Sequence, residues 1–421
     1  MAAMLTNPAV LSLLALLLAI GVSMGSRINV GLLAVALAWV IGVYAAKLSA
    51  SKVLGGFPSS LFLTLAGVTL LFAIADVNGT LRELAQRALR LARGDRRIVP
   101  LLLFLIACLL SATGPGAISS VALVIPVAMN IGERLRLPPF LTALMVANGA
   151  NAGNLSPISA VGIIANSRMA IAGITGSEMK VMLANLLAHV LVTAIAYAVF
   201  VWRDRAAPKL ADGRHEQTVA LDARQRRTAI VLAVWIAGVV GLKLDVGLSA
   251  FAAACILLLL RAADEAAVIR KMPWAVLLMV CGVATLVALL DQTGGMELFT
   301  ALLAKLATAA TVNGMMAFVT GAISAYSSTS GVVLPTFLPT IPDLLGRIGG
   351  GDPLALALSI NVGASLVDVA PISTLGALCV AALPDQSGSR RLFLQMLTWG
   401  LSMTVVGAVL CQLFAGVLAG W

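Results

Sequence analysis

Residues 148–162 read NGANAGNLSPISAVG. Three asparagines, three glycines, two serines and a proline stand inside an apolar segment that begins near Phe140. The surrounding chain of 421 residues is 60% hydrophobic and 11% charged, with a mean hydropathy of +1.03. Apolar runs such as Val30 to Ala46 are long enough to cross a bilayer, so the composition is that of a polytopic membrane protein. Breaking a helix at membrane depth frees several N–H and C=O groups that hydrocarbon cannot satisfy. Such a break persists only where protein or a water-filled cavity satisfies them. Glycine permits the unwound backbone, and Pro157 keeps the helix from resealing. The stretch therefore predicts a broken helix that lines a site.

The same pattern returns as NVGASLVDVAPISTLG at 361–376. NLSPIS (154–159) matches DVAPIS (368–373), SATG (111–114) matches SSTS (327–330), IADVNGTLREL (74–84) resembles LLDQTGGMELF (289–299), and RINVGLLA (27–34) matches KLDVGLSA (243–250). The offsets are 214, 216, 215 and 216 residues, in constant order. Four matches at one spacing define two halves, 1–202 and 228–421, joined by a linker at 203–227.

Ten crossings are predicted, starting near Pro8, Val30, Leu61, Phe140, Val181, Thr228, Val246, Trp274, Leu354 and Leu392. Two further apolar stretches, 98–131 and 312–345, are broken by SATGPGAISS (111–120) and SSTSG (327–331), which suits the tips of re-entrant helical hairpins. The predicted fold is thus all-α, with two repeats of five transmembrane helices and one hairpin each. Five is odd, so the second repeat is inverted, the plan of many secondary transporters. The broken helices are expected at 138–165 and 354–383, with no Lys or Arg in either.

Charge supports this topology. With the N-terminus outside, 21 of the 28 Lys and Arg fall in inside segments: Arg27, the cluster from Arg82 to Arg97, Arg134, Arg136, the linker, Arg261, Arg270, Lys271, Arg390 and Arg391. The outside keeps Lys47, Lys52, Arg168, Lys180, Lys243, Lys305 and Arg347. This positive-inside bias puts both termini outside and the linker in the cytoplasm of an inner-membrane protein, and it accounts for the net charge of +10 without nucleic acid. Pro8 to Val22 lacks a basic leader and reads as an uncleaved helix. After Thr80, a capping box with Glu83 should start an amphipathic helix along the cytoplasmic surface. His215 and Glu216 read as plain linker residues. The five cysteines lie in apolar segments without metal-ligand spacing and read as small hydrophobes.

Polar residues at membrane depth gather at the hairpin tips and the broken helices. Half-helix N-termini suit a carboxylate, while freed carbonyls with Ser, Thr and Asn oxygens suit a sodium ion. Close packing through small residues would explain the glycines and serines, but not Pro157 and its echo Pro371. Asp368 is the one carboxylate placed firmly inside a membrane segment; it should hold a cation or carry a proton, unless it only ties down freed N–H groups. His189 stands alone on an apolar helix, which favours packing over a proton relay. No catalytic pair appears at membrane depth and no P-loop anywhere, which argues against an intramembrane enzyme or an ATP-driven pump.

At these residues the chain resembles the ion transporter superfamily, which includes divalent-anion/sodium symporters, and within it the malonate or dicarboxylate carrier-like branch. In those symporters a Ser-Asn-Thr triplet at each hairpin tip binds sodium and a substrate carboxylate. The matching triplets are Ser111-Ala112-Thr113 and Ser327-Ser328-Thr329, so the hydroxyls carry over and the asparagines do not. The resemblance implies a homodimer working as an elevator, with scaffold 1–97 and 228–310 and transport part 98–202 and 311–421. The function implied is secondary active transport of a small carboxylate, foremost a dicarboxylate such as malonate, coupled to sodium or protons, with no cofactor beyond a possible sodium ion. Expected at the substrate are Ser111, Thr113, Gly114, Asn148, Asn151, Ser156, Pro157, Ser328, Thr329, Pro371, Ser373 and Thr374. Expected at the coupling ion are Ser111, Asn154, Ser159, Ser327, Thr329, Asn361 and Asp368. A dianion moving into a negative-inside cell costs roughly 4.6 kcal/mol per 100 mV, so net import needs at least two cations. The rival readings are an exporter of an inorganic oxyanion or metalloid, and a cation/proton antiporter using Asp368.

Overall fold

The computed structural model describes residues 7–25, 28–90, 95–203, 221–383 and 386–420, and the regular elements among them are all helical. Each expected crossing coincides with a helix or a pair of half-helices: Pro8–Gly25, Val30–Val40 continuing through a π turn to Ala45, Ser59–Val77, Pro139–Gly153 with Ala160–Ile171, Glu178–Arg203, Ala223–Leu242, Val246–Leu259, Trp274–Thr293, Pro353–Val367 with Thr374–Ala381, and Gln386–Ala419. Among the described residues, five helices are individually long and apolar enough to cross a membrane: Ser59–Val77, Gly116–Arg134, Glu178–Val199, Trp274–Thr293 and Gly388–Ala419. Most of Arg203 to Arg227, including His215 and Glu216, lies outside the described residues, as do Arg27 and Arg93.

The strongest sequence matches acquire a structural reason. Asn29 caps Val30–Val40 by accepting from the Gly31 N–H at 2.9 Å, and Asp245 caps Val246–Leu259 by accepting from the Leu248 N–H at 2.7 Å. Val30–Val40 packs on Trp274–Thr293, and Val246–Leu259 packs on Ser59–Val77. Both contacts depend on glycine. A Cβ on Gly31 would run into the backbone of Leu278 and Met279, and one on Gly282 into the Gly31 carbonyl. In the second contact, a Cβ on Gly247 would strike Thr64, and one on Gly67 would strike the Gly247 carbonyl. Small residues let these backbones approach without any driving force from solvent, which is how helices associate in lipid. The two contacts are reciprocal: Gly31 and Gly247 are 216 residues apart, Gly67 and Gly282 are 215 apart.

The hairpins pack on the broken helices. Ile98–Ala112 and Gly116–Arg134 pack on Pro139–Gly153; Val312–Ser324 and Gln386–Ala419 pack on Pro353–Val367. Gly149, Gly153 and Gly363 again mark close approaches, the first two against the backbones of Phe104 and Cys108 and the third against Ala317. The segments rich in arginine meet at one end, where Lys271 pairs with Asp76 at 3.1 Å, Arg96 donates to the Arg136 carbonyl at 2.7 Å and the Tyr197 hydroxyl donates to the Arg97 carbonyl at 2.7 Å.

Several expectations are corrected. Thr80 forms no capping box with Glu83: its hydroxyl donates to the Asn78 side chain at 2.6 Å, and Glu83 pairs with Arg87 at 2.9 Å. Asn78 wins because its oxygen also accepts the Thr80 N–H at 3.1 Å, closing a local turn before the helix begins. A true capping box forms instead at Asp222 and Gln225. The second arm of the second hairpin is not one helix. Pro335, Pro339 and Pro342 divide it into a π turn at Thr329–Val333, a short helix at Leu334–Phe337, a 3-10 turn at Leu338–Thr340 and a helix at Ile341–Ile348.

Candidate functional site

The two breaks share one construction. Pro139–Gly153 ends at Asn154 and resumes as Ala160–Ile171; Pro353–Val367 ends at Asp368 and resumes as Thr374–Ala381. Ser159 caps the first restart by accepting from the Gly162 N–H at 3.0 Å, and its hydroxyl donates back across the break to the Asn154 carbonyl. Ser373 does the same, accepting from Gly376 at 3.4 Å and donating to the Asp368 carbonyl at 2.5 Å. Each serine thus satisfies one orphan donor and one orphan acceptor of an interrupted helix. The chain folds back so tightly that a Cβ on Gly162 would hit the Ser156 carbonyl, and one on Gly376 the Ala370 carbonyl.

The breaks also touch each other. The Asn151 side chain donates to the Ser365 carbonyl at 3.1 Å, and the Asn185 side chain donates to the Asn151 carbonyl at 2.7 Å. These carbonyls have lost their partners four residues on, because the helix stops there. His189, one turn beyond Asn185, sets one ring nitrogen 2.9 Å from the Asn185 carbonyl and the other 3.4 Å from the Ser365 carbonyl. The histidine expected to pack alone therefore stands at the junction of both broken helices, fully buried.

Each hairpin tip closes on its own break. At the first, Gly114 and Gly116 take φ values of +153° and +75°, which non-glycine residues rarely adopt. The Gly114 carbonyl accepts from the Ala160 N–H at 3.0 Å, and the Asn154 side-chain oxygen accepts from the Ala117 N–H at 3.2 Å. At the second, Ser328 accepts from the Gly331 N–H at 3.0 Å, Ser324 and Thr329 hydroxyls meet at 2.5 Å, and Ser324 donates to the Ala364 carbonyl at 2.9 Å. The hydroxyls of Thr329 and Ser373 flank the half-buried carboxylate of Asp368.

The residues expected from sequence divide unevenly over this geometry. Asn154, Ser156, Pro157 and Ser159 lie in the first break and Asp368, Pro371 and Ser373 in the second; Ser111, Gly114, Ser327, Ser328 and Thr329 lie at the tips. Ser111 and Asn148 are fully buried, and neither the Ser111 hydroxyl nor either amide atom of Asn148 has a hydrogen-bond partner. Such orphans are rare in finished interiors and fit a place that a ligand or water completes. Thr113 spends its hydroxyl on the Leu110 carbonyl at 3.0 Å, and Thr374 is exposed at the start of its half-helix. Asn361 stands two turns before the second break, donating to the Ala357 carbonyl at 2.8 Å beside the Met169 sulfur. Among the described residues, no group of three His, Cys, Asp or Glu could hold a metal ion.

Sequence reasoning missed Asn185, Ser324 and Arg168. The available signal for Asn185 was its spacing of one turn from His189. Arg168 corrects the expectation that neither broken element contains a basic residue. The first element continues to Ile171 rather than stopping at 165, because no breaker interrupts AVGIIANSRMAI, and Arg168 is only 4% exposed.

Two comparisons bear on what such a molecule does. Residues 6–154 match the family described as dicarboxylate carrier protein MatC N-terminus. No curated protein is significantly similar to the chain in sequence. Among solved structures, the YdaH transporter of Alcanivorax borkumensis, described as having an unusual topology, aligns with a TM-score of 0.59 and 17% identity over 93% of this chain and 97% of its own. MtrF of Neisseria gonorrhoeae, described with a class of antimetabolite efflux pumps, aligns with a TM-score of 0.57 and 16% identity over 89% of this chain and 84% of its own. At that identity the likeness speaks for the fold. Together the carrier family and the transporter folds point to a membrane transporter and not to an enzyme.

Proposed function

We propose that the chain is a secondary active transporter of a small carboxylate, foremost a dicarboxylate such as malonate, coupled to sodium ions or protons. The observation that carries this reading is the meeting of two broken helices at Asn151 and Ser365, with a carboxylate on one of them. Half-helix N-termini capped by Ser159 and Ser373 present N–H groups suited to a substrate anion. Asp368, Thr329, Ser373 and freed carbonyls form an oxygen-rich place suited to a coupling cation. The match to a dicarboxylate carrier family over residues 6–154 supports the substrate class.

The reciprocal glycine contacts, Gly31 with Gly282 and Gly67 with Gly247, support two inverted repeats. The packing of each hairpin on its own broken helix supports an elevator in which 98–202 and 311–421 move against 1–97 and 228–310, in a homodimer within the inner membrane, termini outside. Export, of an antimetabolite or an inorganic oxyanion, is the second reading, supported by the likeness to MtrF. Reconstituted vesicles given labelled malonate under an imposed sodium or proton gradient test both. Gradient-driven accumulation supports the first reading. Vesicles that accumulate no dicarboxylate in either orientation of either gradient overturn it.

A further inference from the structure

Arg168 is an arginine with no visible purpose in the packing. It lies on the half-helix Ala160–Ile171, nine residues past the break-capping Ser159, and is 4% exposed. Its Nε is buried with no hydrogen-bond partner, and among the described residues no ion pair engages its guanidinium. Of the carboxylates on the elements packed against this half-helix, Asp76 pairs with Lys271, Glu178 accepts from the Gly176 N–H at 3.2 Å, and Glu133 stands at the last turn of Gly116–Arg134; none is paired with Arg168 among the described residues. A buried guanidinium without a counter-charge is expensive, so a protein that keeps one has an anion to put there.

The surroundings suit that role. The half-helix packs against Ser59–Val77 and against the turns Leu334–Phe337 and Leu338–Thr340 of the second hairpin, and those turns carry Thr336, whose hydroxyl is buried without a partner. Helical side chains lean toward the N-terminus of their helix, which directs the Arg168 side chain back toward the break. Guanidinium is also the group that takes a carboxylate by two parallel hydrogen bonds.

We propose that Arg168 receives one carboxylate of the transported anion, so that the binding site runs from the breaks along Ala160–Ile171 to the second hairpin. This rests on the reading of the chain as a carboxylate transporter and adds the residue that would select for negative charge. Malonate binding to the full-length purified protein tests it, by calorimetry and by the thermal midpoint with and without malonate, in wild type, Arg168→Met and Arg168→Lys. Removing an unpaired buried cation should leave the ligand-free Arg168→Met midpoint equal to wild type or higher, while malonate affinity falls by about tenfold or more. Arg168→Lys, which keeps charge and loses the planar fork, should fall in between. Should Arg168→Met not fold, the lysine variant still decides. Malonate affinity unchanged from wild type in either variant overturns the proposal. A wild type that ignores malonate but binds sulfate, with sulfate binding lost in Arg168→Met, keeps Arg168 as the anion site and removes the carboxylate reading. A wild type that binds neither overturns both.

Discussion

The break at 154–159 and the break at 368–373 are built alike and equipped differently. Ser159 and Ser373 cap and bridge in the same way, and Gly162 and Gly376 sit against the carbonyls of Ser156 and Ala370, themselves 214 residues apart. Asn154, however, gives its side-chain oxygen to the Ala117 N–H of the first hairpin, whereas Asp368 holds a carboxylate between Thr329 and Ser373. The restarted helices differ as well. Ala160–Ile171 has 12 residues and buries Ile163, Ile164, Arg168 and Met169; Thr374–Ala381 has 8 and leaves Thr374 and Ala377 exposed. Backbone geometry is duplicated because the cost of a break is the same in both halves. Side-chain chemistry is free to diverge, and the divergence puts a carboxyl group at one break and a buried guanidinium beyond the other.

The shared part should be the harder to alter. Gly162→Ala and Gly376→Ala each press a methyl group into a backbone carbonyl that cannot move without reopening the break. Both should cost about 3 kcal/mol or more, seen as loss of monodisperse protein and a lower thermal midpoint. Equal damage is the expectation. A tolerated Gly376→Ala beside a ruinous Gly162→Ala would mean that the second break is not under the same constraint.

The divergent part should fail selectively. Asp368→Asn should lower gradient-driven uptake by about a hundredfold, roughly 2.7 kcal/mol, with little change in stability, because the amide keeps hydrogen-bonding capacity but not charge. Asn154→Ala should lower stability by about 1 kcal/mol through the lost bond to Ala117 and leave cation dependence intact. The measurement is uptake against sodium concentration and against pH. Cation dependence lost in Asn154→Ala and kept in Asp368→Asn would reverse the assignment.

This contrast also marks what the amino-acid sequence makes legible. The apolar helices, the two breaks and the turns between the hairpin arms were readable because each depends on local chemistry: long apolar runs, or Gly, Pro and Ser at positions where a helix must stop. The pairing of Asn29 with Asp245 as caps was hidden inside a match that showed only as similar letters. The network through Asn185 and His189 was not readable, since it joins residues 34 and 176 positions apart and depends on which face of Glu178–Arg203 turns inward. Arg168 was misplaced for a related reason. A charged residue near a helix end is placed by default in water, and only packing against the second hairpin and Ser59–Val77 shows that it is enclosed.

The smallest difference between the halves is also the most diagnostic. Asn151 and Ser365 occupy matching positions 214 residues apart, yet the bond between them runs one way, from the Asn151 amide to the Ser365 carbonyl. The Ser365 hydroxyl is buried without a partner, and the reciprocal place on the Asn151 carbonyl is taken by Asn185. Asn151→Ala should therefore strip a freed carbonyl of a donor and cost about 1–2 kcal/mol of stability. Ser365→Ala removes an oxygen that bonds nothing within the protein, so the ligand-free thermal midpoint should stay within about 0.5 kcal/mol of wild type. Because an orphan hydroxyl at this junction has only solvent, cation or substrate to meet, any effect of Ser365→Ala should appear in ligand or cation affinity instead. A drop in ligand-free stability equal to that of Asn151→Ala would show that the junction is symmetric after all, with Ser365 bonded as its counterpart is.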